Sequence, residues 1–529
     1  MKKIASIFIL AATSMAVMAV PARHGGRTVT QPDGSEVVVY QHGDESFHYM
    51  TNAQGEWLKQ DAAGYYRVTE GLSDEAIAAK RQQSKFARRA TNTTGADRLL
   101  ATRGLIILVS FQDTLFQNSL ADMTDWAMGE NYTYNGATGS IHQYFYDNSW
   151  GQYDLQLDVI GPVQVSKSAA YYGQNRNGTD GADMHPNEMV VEACRLADQQ
   201  GVDFSQYDSN NDGYVDWVVI VYAGYGEADS YIANTIWPHQ HDLAYTGSTI
   251  QLDGKTVNHY CCLNELDGWN GMRCGIGTFC HEFSHIMGLP DLYTTNYTDH
   301  KTCGSWDIMD YGCYNNDGNT PPMYSAYERW WMGWMTPELL NEAATVNLQE
   351  LNRGKQAAYL TANGSGISNI LMPLPSTFYL LENRQQTGWD SYLPGHGLMI
   401  TKVQWNYSKW TQNTVNNTAS SMGVDILEAD GLTPMYNSSN RTNGYFGKQG
   451  DLYPTESVNT FTQVTNYPLT EITETGTVVS FKVNGGGEQI ALGVEQTQSE
   501  AVESRKILRN GQLYIQRNGT LYDINGRKL

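Results

Sequence analysis

Two histidines stand four positions apart in FCHEFSHIMGLPDLY, residues 279–293, and a glutamate directly follows the first of them. On a helix, His281 and His285 project from one face about one turn apart, so both imidazoles can reach a single ion. Glu282 is rotated about 100° from His281 but still lies near enough to take a proton from a metal-bound water. The bland alternative is a solvated helix face with incidental histidines, and a chance match to this pattern is rare.

The residues after the second histidine predict a third ligand. Gly288 can adopt the left-handed conformation that ends a helix, and Pro290 prevents the helix from restarting. The chain must therefore turn, so Asp291 can swing back to the same ion. Zinc accepts a carboxylate oxygen at much the same distance as an imidazole nitrogen, and three protein ligands leave the open position that catalytic zinc requires.

A methionine turn follows in SWDIMDYG, residues 305–312. The pattern HExxHxxGxxH followed by such a turn marks the metzincin proteases, and here aspartate replaces the final histidine. We expect Met309 to lie beneath the ion as a hydrophobic base, and Tyr311 to reach the ion or the developing oxyanion. The predicted chemistry is peptide-bond hydrolysis by a zinc-bound water that Glu282 activates.

At these residues the chain resembles the immune inhibitor A family of secreted bacterial metallopeptidases, whose motif is HExxHxxGxxD. The resemblance covers about residues 100–485 and includes GLIILVSFQD, YDSNNDGYVDWVVIVYAG, GTFCHEFSHIMGLPDLY and FYLLENRQQTGWDSYLPGHGLMI. It implies that His281, His285 and Asp291 bind zinc and that Glu282 is the catalytic base. Ser284 departs from the pattern, because glycine is more usual there.

The pattern of apolar and turn residues predicts an α+β fold with β-rich units at both ends. The motif and the resemblance imply that the part between them is a metzincin-like zinc protease catalytic domain. Buried strands are expected at GLIILVSFQD and DGYVDWVVIVYAGYG, and strands dominate after residue 340. The predicted segments are a signal peptide (1–19), a propeptide with a β-rich part, a helix and a basic linker (20–95), the catalytic domain (96–340), a β-rich C-terminal domain (341–485) and a tail resembling a sorting signal (486–529).

The N-terminal apolar run predicts export, with a cut after Ala19. Arg88 and Arg89 offer a trypsin-like site for removal of the propeptide, although a permanent N-terminal domain is the alternative. Since residues 20–89 contain no cysteine, a carboxylate or imidazole such as Asp44 or His42 is the candidate group for blocking the zinc.

The formal net charge of −22 argues against nucleic acid and anionic membranes as partners. We expect a secreted monomer, extracellular or periplasmic, that has no transmembrane segment and acts on protein or peptide substrates. Seven cysteines leave at least one thiol unpaired within the chain. Cys303 and Cys313 could form a disulfide, or could be small buried side chains.

A second metal site is predicted in DSNNDGYVD, residues 208–216, whose oxygen spacing is that of a calcium loop. Val219 stands where an EF-hand has its bidentate glutamate, so other ligands would be needed. An Asx-rich turn is the alternative. The candidate calcium ligands are Asp208, Asn210, Asp212, the Tyr214 carbonyl and Asp216, with Gly213 at the sharp turn.

Two other functions compete with the zinc protease. One is a cysteine hydrolase that uses Cys280, which should point away from the metal face. The other is an adhesin or glycan-binding protein with an inert protease-like core, for which Trp389, Trp405 and Trp410 could supply a platform. Aromatic residues in strands are more often core, and an inactive descendant could have lost Glu282.

Overall fold

The computed structural model describes residues 18–73, 76–77, 101–176, 181–296, 300–432, 445–490 and 492, together with the backbone of 504–509, 512–517 and 520–522. The predicted signal peptide before residue 18 lies outside the described residues. So do most of the helix expected over 73–90 and the basic site at Arg88 and Arg89. Among the described residues, no helix is long and apolar enough to cross a membrane.

The N-terminal unit is a five-stranded antiparallel sheet in sequential order. Short turns rich in glycine, asparagine and aspartate separate the strands, which confirms the strands and turns predicted for this region. The strands are β1 (Arg27–Thr30), β2 (Glu36–Asp44), β3 (Phe47–Thr51), β4 (Trp57–Gln60) and β5 (Tyr66–Val68).

A central five-stranded sheet has the order β7-β6-β8-β12-β9 and is parallel except for the edge strand β9. The apolar runs predicted as buried strands are its interior strands β6 and β8, which packing buries on both faces. A hairpin of β10 (Ile250–Leu252) and β11 (Lys255–Val257) precedes β12. The sheet strands are β6 (Arg103–Ser110), β7 (Gln156–Gln164), β8 (Val218–Tyr225), β9 (His239–Asp242) and β12 (His259–Leu266).

Helices cover both faces of this sheet. The helix expected to carry the motif at residues 279–293 is present and runs over Gly277–Ile286. Ser119, Ser140 and Ser325 cap three of the helices with their hydroxyl groups. The helices are α1 (Leu120–Met128), α2 (Ile141–Asn148), α3 (Ala169–Tyr172), α4 (Pro186–Gln199), α5 (Glu227–Ser230), α6 (Gly277–Ile286), α7 (Ala326–Trp331), α8 (Leu351–Gly354) and α9 (Tyr407–Thr411).

The C-terminal region contains two sheets, ordered β13-β15-β16-β17-β18 and β19-β20-β14-β21, and a separate three-stranded sheet β22-β23-β24 in the tail. The strands predicted after residue 340 are therefore confirmed. Their bounds are β13 (Glu338–Leu339), β14 (Ala344–Leu348), β15 (Ala358–Leu360), β16 (Thr377–Arg384), β17 (Gly397–Gln404), β18 (Val424–Ile426), β19 (Leu469–Thr475), β20 (Val478–Val483), β21 (Gln489–Ile490), β22 (Ser504–Arg509), β23 (Gln512–Arg517) and β24 (Thr520–Tyr522).

One hydrophobic core continues across residue 340. The same buried cluster contains Phe283 of α6, Tyr327 of α7, Phe378 of β16 and Trp410 of α9. A second cluster lies on the other face of the central sheet under α4. The helix that carries the two histidines therefore packs against the C-terminal region of the chain as well as against the central sheet.

Candidate active site

Helix α6 ends with the geometry that the motif requires. The Gly288 amide donates to the His285 carbonyl (3.0 Å) and the Leu289 amide to the Ser284 carbonyl (3.1 Å), which is a Schellman termination. Gly288 has a φ of 98°, a conformation that side chains other than glycine rarely tolerate. The chain then reverses, and Asp291 lies beside the two histidines.

The three predicted zinc ligands form a compact buried cluster. His281 Nε2 and His285 Nε2 are 3.1 Å apart, and they lie 3.2 and 3.3 Å from Asp291 Oδ1. Tetrahedral zinc with bonds of about 2.0–2.1 Å would hold its ligand atoms about 3.3 Å from one another. The spacing of these atoms fits one ion.

The outer nitrogens of both rings bind backbone carbonyls. His281 Nδ1 lies 2.8 Å from the Ile308 carbonyl, and His285 Nδ1 lies 2.8 Å from the Leu289 carbonyl. Each Nδ1 therefore donates a proton to a carbonyl, and in a neutral imidazole this arrangement leaves the lone pair on Nε2, the atom that faces the other ligands. Three lone-pair atoms this close together in a buried site repel one another unless a cation lies between them, so the donor set fits a metal.

Asp291 is fixed from the C-terminal region by Asn413, a buried residue just after α9. The Asp291 amide donates to Asn413 Oδ1 at 2.8 Å, and Asn413 Nδ2 donates to Asp291 Oδ2. The carboxylate therefore turns its other oxygen, Oδ1, towards the histidines. Sequence reasoning missed Asn413, because nothing near it in the chain indicates contact with a residue 122 positions away.

Glu282 is fully buried and faces the N-terminal segment. Its Oε1 accepts a hydrogen bond of 2.7 Å from the Val20 amide. Burial, and then the charge of Asp291, raise the pKa of the Glu282 carboxyl well above its usual range.

Residues 18–22 cross the cleft as an extended segment beside the edge strand β9. The Gln240 amide of β9 donates to the Met18 carbonyl at 2.8 Å, and the two residues form an antiparallel bridge. Trp237 Nε1 donates to the Val20 carbonyl at 3.0 Å. The Tyr293 hydroxyl donates to the Ala19 carbonyl at 2.5 Å. The Ala19–Val20 peptide therefore lies between Tyr293 and Glu282.

The methionine turn supports the site through its backbone. Met309 is buried, its carbonyl accepts the Leu292 amide at 2.8 Å, and the preceding carbonyl binds His281. Tyr311, for which we expected contact with the ion or the oxyanion, packs its ring edge-on against His24 and Phe446. The phenol that contacts a carbonyl beside Glu282 is that of Tyr293, two residues after the third ligand.

The groups expected to block the zinc, His42 and Asp44, have hydrogen-bond partners within the N-terminal unit, and a blocking role for either stays a prediction. His42 Nε2 lies 2.8 Å from Thr51 Oγ1, and its ring stacks on Tyr49. Asp44 Oδ1 accepts the Ser46 amide in the turn between β2 and β3. The atom of the N-terminal unit that binds Glu282 is the Val20 amide nitrogen.

The acidic loop at residues 208–216 is organised by hydrogen bonds. Asp208 accepts the amides of Asp212 and Gly213 at 3.1 Å, and the Lys255 ammonium lies 2.5 Å from its Oδ2. Asp216 Oδ2 accepts the Ser209 amide, Asn210 contacts Asp212, and the Tyr214 amide donates to Asp212. Among the described residues, the group of side chains close enough together to hold a metal ion is the one at α6, not the acidic loop. Calcium at residues 208–216 therefore stays a prediction.

The cysteines and tryptophans behave as core residues. All seven cysteines are buried free thiols, so Cys303 and Cys313 do not form a disulfide. Burial raises the pKa of the Cys280 thiol well above its usual value, which is unfavourable for a nucleophile. Trp389 and Trp410 are buried, and the partly buried Trp405 packs against the same core and contacts Trp410.

A buried triad on a helix that ends in a Schellman turn, with a carboxyl group beside it, is the arrangement that the metallopeptidase motif predicts. Residues 96–335 match the family model of the immune inhibitor A peptidase M6 catalytic domain. This part of the chain is similar to that family, as the motifs predicted.

Two relatives illustrate the similarity. The pre-pro-metalloprotease PrtV of Vibrio cholerae serotype O1 is 29% identical over 225 residues, which cover 38% of this chain and 23% of PrtV. Immune inhibitor A of Bacillus thuringiensis subsp. alesti is 27% identical over 269 residues, which cover 44% of this chain and 38% of that protein. The chain thus matches well under half the length of either relative.

Proposed function

We propose that this protein is an exported zinc-dependent endopeptidase in which His281, His285 and Asp291 hold the metal and Glu282 is the general base. The observation that carries the proposal is the position of the Ala19–Val20 peptide. Its N–H donates to Glu282 and its C=O accepts from Tyr293, beside the three ligand atoms. A peptide bond thus already occupies the place where the chemistry requires one.

Each side chain has a separate task in this mechanism. Zinc bound by the triad would polarise the substrate carbonyl and lower the pKa of a water molecule at its open position. Glu282 would accept a proton from the attacking water. Its Oε1 also lies 2.7 Å from the Val20 amide nitrogen in the cleft. The same carboxyl group can therefore return the proton to the leaving amine.

Tyr293 is the proposed hydrogen-bond donor to the carbonyl oxygen. The sequence had suggested this role for Tyr311. Burial raises the pKa of the Tyr293 phenol well above its usual value, so the phenol keeps its proton and donates. A donor already aimed at the carbonyl oxygen stabilises the negative charge that develops there without reorganisation.

Substrates of this site are proposed to be extended peptides added to the edge strand β9. Backbone pairing with an open sheet edge accepts any sequence, while pockets beside it select side chains. In the uncut chain the N-terminal segment uses this edge at Met18 and Gln240, and a substrate would pair with the edge in the same way.

The N-terminal unit is therefore proposed as a propeptide that occupies the cleft. If the chain is cut after Ala19, as the sequence predicts, the nitrogen at Glu282 becomes the amino terminus of the shortened chain. Release of the segment would require a second cut beyond the five-stranded sheet. Export, a monomeric state and a calcium ion at the acidic loop belong to the same proposal.

The glycan-binding alternative predicts no hydrolysis, which makes Glu282→Gln the deciding variant. It keeps the size of the side chain and all three metal ligands but removes the carboxylate. We expect protein matured from the full chain to hydrolyse unfolded protein, to stop when a zinc chelator is added, and to lose about 10²- to 10⁴-fold in rate with Glu282→Gln.

A matched control is Glu130→Gln, an equal change of charge at an exposed position in the catalytic region. The control should retain full activity and the same zinc content. If wild type and Glu282→Gln are equally inert on a broad peptide library with zinc present, the peptidase assignment is wrong and a binding function replaces it.

A further inference from the structure

The side chain of Arg23 lies in a deep acidic and aromatic pocket beside the cleft. Arg23 is 5% exposed, and its Nη1 lies 2.5 Å from Asp267 Oδ2. Its Nη2 pairs with Asp317. The guanidinium carbon lies 4.6 Å above the Trp269 ring and 5.7 Å from the ring centre of Tyr314. Two carboxylates and two aromatic faces thus surround one planar cation.

A third carboxylate lies behind this pocket and adds to its negative charge. Asp229 is 6% exposed, and its Oδ2 accepts the Gly268 amide at 2.9 Å. Within the part of the chain that the structure describes, its Oδ1 accepts no hydrogen bond. Burial and then the charge of Asp267 raise the pKa of Asp229 to about 7, while Arg23 acts in the opposite direction. Without a cation, the pocket would leave buried carboxylates uncompensated.

The backbone of Arg23 is also held as a bound peptide would be. Its amide donates to the Ala228 carbonyl at 2.8 Å, and its carbonyl accepts from the Tyr231 hydroxyl at 3.0 Å. Arg23 is the fourth residue after the Ala19–Val20 bond that faces Glu282, so the pocket corresponds to that position of a bound peptide.

All groups that form the pocket belong to the catalytic region. Asp229, Asp267, Trp269, Tyr314 and Asp317 lie within residues 96–335, the part that matches the peptidase family. They therefore remain when the N-terminal unit is released. Release removes Arg23, the cation that neutralised these carboxylates.

We propose that this pocket is a specificity site of the mature enzyme for arginine, and more weakly lysine, at the fourth substrate residue after the cleaved bond. The inference rests on the proposed peptidase function and adds its substrate preference. Arginine is favoured over lysine because its planar group can pair with two carboxylates while it stacks on Trp269. The N-terminal segment holds its place with the same contact that substrates would use.

The first test measures cleavage of quenched peptides that differ only in the fourth residue after the cut: arginine, lysine, glutamine or glutamate. Mass spectrometry verifies the cut position in each peptide. For enzyme matured from the full chain, we expect kcat/KM to be at least about 10-fold higher with arginine than with glutamine, as is typical of a desolvated charge pair. Lysine should fall between them, and glutamate should be worst.

Two variants and one control locate the effect. Asp317→Asn removes one carboxylate at a half-exposed position. Asp267→Asn removes the buried carboxylate but keeps a side-chain oxygen that can accept the backbone hydrogen bonds of its turn. Both should lower the arginine-to-glutamine ratio, Asp267→Asn more strongly. Glu130→Gln should leave the ratio as in wild type. Equal cleavage of all four peptides by the wild type would overturn the inference while the peptidase function stands.

A second test does not depend on hydrolysis. The uncut full chain with Glu282→Gln and Arg23→Ala has a pocket that lacks the equivalent of ethylguanidinium. Adding ethylguanidinium should raise the Tm of this protein more than tetramethylammonium at equal concentration does, and the difference should disappear when Asp267→Asn is added. No such difference would overturn the pocket as a guanidinium site. If no peptide is cleaved but ethylguanidinium stabilises the chain, the peptidase function fails while the guanidinium site remains.

Discussion

Replacing Asn413 by glycine should weaken zinc binding, although Asn413 is not a ligand. The side chain accepts the Asp291 amide and donates to Asp291 Oδ2, so it sets both the backbone and the carboxylate of the third ligand. Asn413 has a φ of 53°, a conformation in which alanine would add backbone strain. Glycine removes the two contacts without that strain.

The expected size follows from what the substitution leaves behind. The Asp291 amide becomes a buried donor without a partner, which costs about 1–3 kcal/mol of folding free energy. The carboxylate also loses the contact that orients it, and loss of such a partner typically lowers metal affinity about 10- to 100-fold. That range equals about 1.4–2.7 kcal/mol of binding free energy.

Competition with a chromophoric zinc chelator measures the affinity on the full chain. Asn417→Gly is the matched control, because Asn417 accepts the Thr295 amide at 2.7 Å in the same pair of loops but does not touch the ligand. Both variants should lower Tm, and only Asn413→Gly should lower zinc affinity. If the two variants bind zinc as tightly as wild type, or are weakened equally, Asn413 does not position Asp291.

Four other outcomes are expected. Tyr293→Phe should lower kcat about 10²- to 10³-fold, as loss of an oxyanion donor does, with zinc content unchanged. A normal kcat would mean that another group donates to the carbonyl oxygen. A chain cut beyond the N-terminal sheet should be more active than the uncut chain, and equal activities would end the propeptide proposal. Calcium should raise the Tm of wild type but not of Asp212→Ala, and a Tm indifferent to calcium in both would remove that site. Burial raises the pKa of Asp425 to about 7, so this residue destabilises the fold increasingly as pH rises from about 4 to 7. Asp425→Asn should therefore raise Tm more at pH 8 than at pH 5.

The sequence predicts those parts of the site that are close together in the chain. The spacing of His281 and His285, the turn at Gly288 and the return of Asp291 depend on one helix and its termination, which local patterns describe well. The continuous apolar runs of β6 and β8 identified the central sheet for the same reason. Each of these features involves residues within about ten positions of one another.

Contacts between distant segments could not be predicted in this way. Val20 meets Glu282 across 262 positions, and Asn413 meets Asp291 across 122. The role of Tyr311, inferred from its place in the methionine turn, stays a prediction. The contact of Tyr293 with the Ala19 carbonyl was not predicted, because the direction of a side chain depends on packing that a motif does not contain.

The strand-rich C-terminal region is therefore part of the proposed metal site as well as of the core. The loop after α9 supplies Asn413 to the third ligand, and Trp410 in α9 donates to the Tyr327 hydroxyl of α7 at 2.9 Å. Because the same hydrophobic cluster contains residues of α6, α7 and α9, movement of the C-terminal region would reach Asp291 directly. A catalytic segment ending near residue 340 would keep every ligand and lose the group that orients one of them.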